Sequence, residues 1–131
     1  MNADAERIAR DALAELGRAV AKKVTDESLA LFTEDALMIG SAVGESAFGA
    51  MALRDFMDEV HASPATIAWQ WDRVTARSAG DVVWFFGEGH VRLDGPTGVD
   101  RRSYRAGGVL RRGDDGRWRF AMYHGSEPEE Y

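Results

Sequence analysis

The sequence predicts an α+β domain in which a strongly curved antiparallel sheet wraps three N-terminal helices. Three observations carry this. Hydrophobic spacing is helical in three stretches before Pro64, it changes to period two beyond it, and the alternating stretches are joined by short turns rich in glycine and aspartate. Helices first and hairpin-linked strands after them is the order of an α+β domain.

The first helix is predicted from Ala3 to about Val24. Ile8, Leu13, Leu16 and Val20 recur at helical spacing, and Arg7, Arg10, Asp11, Glu15 and Arg18 take the other side. Alanine is abundant and proline absent, both favourable to helix. Thr25 or Asp26 can cap a second, short helix reaching Phe32, because a side-chain oxygen there accepts from unpaired backbone N–H groups. Ala36–Ile39 reads as a short buried strand, and Gly40, Gly44 and Gly49 then punctuate a loop. The third helix runs from Ala50 to His61, with Leu53, Phe56, Met57 and Val60 on its apolar stripe. Pro64 stops it.

Four long strands follow. Ala65–Ala76 puts Ile67, Trp69 and Trp71 on one face, and Asp81–Leu93 is rich in valine and aromatic residues. After the turn Gly95–Gly98 come Val99–Arg112 and Arg117–Ser126, completing an antiparallel meander. Gly87, Gly89, Gly107 and Gly108 lie within strands, where glycine marks bends and close approaches. A sheet bent at such points leaves a cavity between itself and the helices. No repeat or linker divides residues 1–131, which read as one domain with a loose acidic tail at 127–131.

Composition narrows the function classes. The chain has 131 residues, 45% of them hydrophobic, enough for a real core. A formal charge of -6 and a pI near 5.0 argue against a nucleic-acid partner, which needs a basic face. Without cysteine there is no disulfide, thiolate metal site or thiol nucleophile. The charged N-terminus has no apolar signal core and no run approaches a membrane span, so a soluble cytoplasmic protein is expected. Arginines crowd the last third of the chain. They are expected to solvate the outer sheet face, or one of them, Arg102 or Arg105, to point inward toward an anionic group.

Three segments resemble the SnoaL-like family of the nuclear transport factor 2-like superfamily. They are Leu31–Gly40, with its acidic pair Glu34-Asp35 ahead of a strand, then Asp81–Gly89, then Gly116–Ser126 with its terminal His124. Their order spans nearly the whole chain. The resemblance implies a cone-shaped α+β fold, a pocket between helices and sheet, and a homodimer formed through the sheet. It does not imply one reaction, since one fold hosts many chemistries.

Ketosteroid-isomerase-like relatives place a general-base carboxylate where Gly40 stands here, and a phenol donor on the first helix. Gly40 is no acid and no tyrosine precedes Tyr104, so that activity is not expected. Glu88 and His90 share one strand face by two-residue spacing, together with Trp84 and Phe86. Beside apolar groups, such a pair could move a proton next to a carbonyl. The competing reading puts both on a solvated outer face. His124 continues the face of Trp118, Phe120 and Met122 unless a bulge intervenes, and Tyr123 then points the other way.

The catalytic candidates are therefore Glu88, His90 and His124, and the expected ligand contacts are Trp69, Trp84, Phe86, Arg102 and Tyr104. Asp72 with Arg73, and Asp100 with Arg101 and Arg102, are read as surface ion pairs rather than as the carboxylates of epoxide-hydrolysing relatives. The three histidines lack metal-binding spacing, and no metal or cofactor is expected. The expected function is binding of a hydrophobic small molecule, with acid–base chemistry on a carbonyl-bearing or polycyclic compound if there is catalysis. The alternative is a non-catalytic dimerisation or interaction module.

Overall fold

A computed structural model describes residues 2–129. Helix α1 (Asn2–Lys22) buries Ala5, Ala9, Ala12, Leu13, Leu16, Ala19 and Val20, the small residues letting it lie close against the sheet. It ends at Lys23, whose φ of 60° breaks the helical path. Helix α2 (Thr25–Leu29) is shorter than the expected run to Phe32, and no side chain caps it. The hydroxyl of Thr25 is engaged elsewhere, donating to Asp58 Oδ1 at 2.6 Å. Helix α3 (Ala50–Ala62) stops as expected before Pro64 and buries Leu53 and Met57.

Six strands form one sheet in the order β2-β1-β6-β5-β4-β3. They are β1 (Phe32–Ile39), β2 (Ser46–Phe48), β3 (Thr66–Ala79), β4 (Val82–Gly95), β5 (Gly98–Arg112) and β6 (Trp118–Ser126). The strand expected at Ala36 begins at Phe32, and the glycine-rich loop contains β2, which pairs antiparallel with β1. The sheet is not a pure meander, because β1 runs parallel to β6. The curved antiparallel body of the sheet, β3 to β6, is as expected from the sequence.

Two one-residue bulges bend the sheet and re-aim side chains, which is what a bulge does. In β3 the register skips Asp72, between Trp71 and Arg73. Gly89 faces that bulge across the ladder, and a Cβ there would stand 1.8 Å from Gln70 O. Only glycine permits so tight a bend. In β6 the register skips Ala121, between Phe120 and Met122.

The core lies between the concave face and the helices. Phe120 is its centre, with ring centroids 5.3 Å from Phe32, 6.0 Å from Phe85 and 5.7 Å from Tyr123. Burying an aromatic ring of this size contributes roughly 1.5–3 kcal/mol. Among the described residues, no helix is long and apolar enough to cross a membrane.

Candidate functional site

Strand β4 settles which side chains face the core. Its pairing with β5 runs unbroken from Val82–Arg111 to Gly95–Gly98, so alternation along it is strict. Val83, Phe85 and Val91 are buried on the concave side. Trp84, Phe86, Glu88 and His90 therefore share the other, outer face. Trp84 and Phe86 are 45% and 42% exposed there. Glu88 is ion-paired with Arg73 on the neighbouring strand. His90 Nδ1 lies 3.3 Å from Asp72 Oδ2, outside hydrogen-bonding alignment.

His124 joins them on the outer face because of the Ala121 bulge. Past that point the parity of β6 is inverted, so Tyr123 pairs opposite Gly108 and turns inward, while His124 sits opposite Gly107 and is exposed. The three residues considered for acid–base chemistry thus lie on one side of the sheet, and the cavity lies on the other. Among the described residues no cluster of three His, Cys, Asp or Glu side chains is placed to hold a metal ion.

The cavity is about 220 Å³ and sits between α1, α3 and the concave face. Leu16 and Val20 come from α1, Phe56, Met57 and Val60 from α3, and Met38 from β1. The sheet contributes Ile67 and Trp69 from β3, Val91 and Leu93 from β4, Tyr104 from β5 and Tyr123 from β6. Of the five expected ligand contacts, Trp69 and Tyr104 line this cavity, whereas Trp84 and Phe86 do not. Arg102 lies opposite Val91 in the ladder and so belongs to the concave face, but at its rim. Arg105, opposite Glu88, is on the outer face.

Polar groups occupy two places in the cavity wall. In its depth, Tyr104 Oη and Tyr123 Oη are 3.1 Å apart and hydrogen-bonded, with Tyr104 7% and Tyr123 1% exposed. Burial pushes both phenols above their ordinary pKa, Tyr123 well above it. Both therefore stay protonated at neutral pH. The rings of Trp69 and Trp71 flank Tyr104 at 6.2 and 5.9 Å. Trp69 Nε1 is buried with no partner of good hydrogen-bond geometry. Tyr104 fits because residue 125 is glycine, since a Cβ there would stand 1.9 Å from Tyr104 Oη.

At the mouth stand Glu45, Glu127 and Ser41. Ser41 Oγ donates to Glu127 Oε2 at 2.9 Å and Arg102 Nη1 to Glu127 Oε1 at 3.0 Å. Arg102 is also held by Asp100 at 2.6 Å. Glu127 thereby ties the start of the C-terminal segment to β5 and to the β1–β2 loop, where the sequence suggested a loose tail. Glu130 and Tyr131 of that tail lie outside the described residues.

The pattern of the SnoaL-like domain matches residues 9–130. The chain belongs to the SnoaL-like family. Solved structures of similar fold include three from bacteria. A proposed aromatic-ring hydroxylase from Novosphingobium aromaticivorans superposes with a TM-score of 0.85 at 21% identity, covering 99% of this chain and 93% of its own. A proposed dehydratase of the nuclear transport factor 2-like family from Streptomyces avermitilis gives 0.84 at 14% identity, covering 95% and 97%. A Catenulispora acidiphila protein in complex with S-DNPA gives 0.80 at 20% identity, covering 91% and 90%. At these identities the likeness is one of fold. No curated protein matches the chain.

Within this SnoaL-like chain, sequence reasoning missed most of the aliphatic wall, the mouth residues Ser41, Glu45 and Glu127, and the buried phenol of Tyr123. Its position two residues after Ala121 gave no warning, because nothing in Phe120-Ala121-Met122 marks a bulge.

Proposed function

We propose that this SnoaL-like chain binds a small, largely apolar molecule in the cavity between helices and sheet. The observation that carries the reading is the wall itself, aliphatic and aromatic on nearly every side with two buried phenols at one place. Apolar concavities with a few convergent polar groups are the usual form of a small-molecule site. The S-DNPA complex of a protein with this fold is in keeping with it. Acid–base chemistry by Glu88, His90 and His124 is no part of the proposal, since those side chains lie across the sheet from the cavity. The test is a thermal-shift screen of small aromatic and alicyclic compounds on the full chain, with Val20→Trp, which fills the cavity, as control. Compounds that raise the melting temperature of the wild type but not of the variant support the reading. If no compound does so, the cavity is only a packing space.

A second reading concerns the outer face, and one observation favours it. Phe48, Leu37, Met122, Val109 and Trp84 stand in register across five successive strands, β2 to β4, so that one apolar row crosses the sheet. Phe48, Leu37 and Trp84 are each more than 40% exposed. Charged pairs flank the row, Arg73–Glu88 toward one end of the strands and Arg111–Asp35 toward the other. A second copy related by a two-fold axis could lay its own row on this one. Sedimentation equilibrium decides it, and a monomer at all concentrations removes the reading.

A further inference from the structure

The two buried phenols do not use all their protons. Each tyrosine hydroxyl brings one O–H proton. Tyr104 and Tyr123 share a single hydrogen bond, and among the described residues neither makes another. One proton is therefore left over, whichever oxygen donates. A buried donor without an acceptor costs roughly 1–3 kcal/mol, so such a group is normally satisfied by something.

The spare proton is assigned to Tyr104. Tyr123 is the more deeply buried of the two, and its hydroxyl has only Tyr104 to point to. The neighbouring Trp69 indole is a donor only, so it offers the spare proton no acceptor. With a lone pair turned to the Tyr123 hydroxyl, Tyr104 keeps its own O–H for another acceptor, and the cavity it lines is where one can stand.

Size and charge narrow what can take that proton. An apolar cavity near 150 Å³ holds a benzene molecule, and by that proportion 220 Å³ holds about nine non-hydrogen atoms. Four fused rings do not fit. At the mouth, Glu45 and Glu127 face one guanidinium, Arg102, which Asp100 already shares. A ligand carboxylate meets net negative charge there.

We infer that the cavity takes a neutral, single-ring carbonyl compound whose oxygen accepts the spare proton of Tyr104. The inference rests on the cavity being a ligand site, as proposed above, and the experiment separates the two. Acetophenone, α-methylstyrene and benzoate are nearly equal in size, and differ in carrying a neutral acceptor, no acceptor and an anionic one. Titration calorimetry on the full chain is expected to show acetophenone binding about five- to tenfold more tightly than α-methylstyrene, the worth of one neutral hydrogen bond. Benzoate and progesterone are expected to give no binding. Tyr104→Phe levels ketone and alkene. The carbonyl stretch of bound, isotope-labelled acetophenone falls in the wild type relative to Tyr104→Phe.

If the alkene binds as well as the ketone, the assigned proton is already taken, by a water for example. The inference then fails while the cavity reading stands. Benzoate or progesterone binding as tightly as acetophenone overturns the charge or the size argument, and with it the inference. If none of the compounds binds, the inference and the cavity reading fall together. The wild-type comparison does not depend on how well the variant folds.

Discussion

Gly125→Ala tests the seat of Tyr104 with one methyl group. An ideal Cβ at residue 125 would lie 1.9 Å from Tyr104 Oη, 2.7 Å from Cζ and 3.4 Å from Cε1. Real Cβ contacts essentially never fall below 3.0 Å, so the phenol must retreat by about 1 Å. It has no free path, being flanked by Trp69 and Trp71 and bonded to Tyr123 at 3.1 Å. Overpacking of this kind costs about 1–3 kcal/mol, and the strained hydrogen bond adds about 1 kcal/mol. The alanine returns about 0.4–1 kcal/mol through the unfolded chain, since Gly125 has no left-handed backbone to protect. The net expectation is a loss of about 2–3 kcal/mol and a fall in melting temperature of roughly 5–15 °C. Urea unfolding followed by tryptophan emission measures it. Tyr104→Phe alone is expected to cost about 1 kcal/mol, and the double variant less than the sum, because removing Oη relieves the shortest clash. A loss below about 0.5 kcal/mol for Gly125→Ala, or strict additivity in the cycle, refutes the seating of Tyr104 on Gly125.

Two further expectations concern other parts of the molecule. Trp84→Glu places a charge in the middle of the outer apolar row, and is expected to turn a dimer into a monomer in sedimentation with the circular dichroism spectrum unchanged. A dimer that survives the substitution removes the row from the interface. His61 joins α3 to α2, with Nδ1 3.0 Å from Thr25 Oγ1 and Nε2 3.4 Å from Ser28 Oγ. Burial holds its pKa below the ordinary histidine value, Asp58 opposes that shift and Lys23 adds to it. The unfolded chain then takes up the proton first, so stability falls as the pH drops through about 6.5 toward the lower folded value. Denaturant midpoints at pH 7.5 and 5.5 should differ less in His61→Gln than in the wild type, and an equal difference in both discounts His61.

Where the sequence was legible, periodicity and punctuation made it so. The apolar stripe of α3 and the stop at Pro64 are explicit in Leu53, Phe56, Met57, Val60 and Pro64, and α1 needed only its alanine-rich spacing. Strand β1 was seen from Ala36 onward, because Thr33-Glu34-Asp35 carries no apolar alternation. Those three residues lie where the β1–β6 register shifts, and the strand is held by long-range pairing on either side of them, Phe32 with Phe120 and Leu37 with Met122. Strand β2, three residues long, has too few positions to show a period. The shared face of Trp84, Phe86, Glu88 and His90 followed from spacing alone. Whether that face was concave did not, since period two has no sign, and aromatic residues suit an interface as well as a core.

The site therefore turned on one alanine. Without the bulge at Ala121, His124 would enter the concave face and Tyr123 would leave it. Imidazole titrates near neutrality and can both take and give a proton. A phenol held above its ordinary pKa by burial keeps its proton at that pH and can offer it only in a hydrogen bond. Among the described lining residues, the groups that can accept a proton are the carboxylates of Glu45 and Glu127, both at the mouth and already bonded to Ala42 N, or to Ser41 and Arg102. The inversion thus exchanges a proton-transfer group for a fixed donor in the depth of the cavity. A wall so composed is suited to hold and polarise an acceptor more than to shuttle a proton across it.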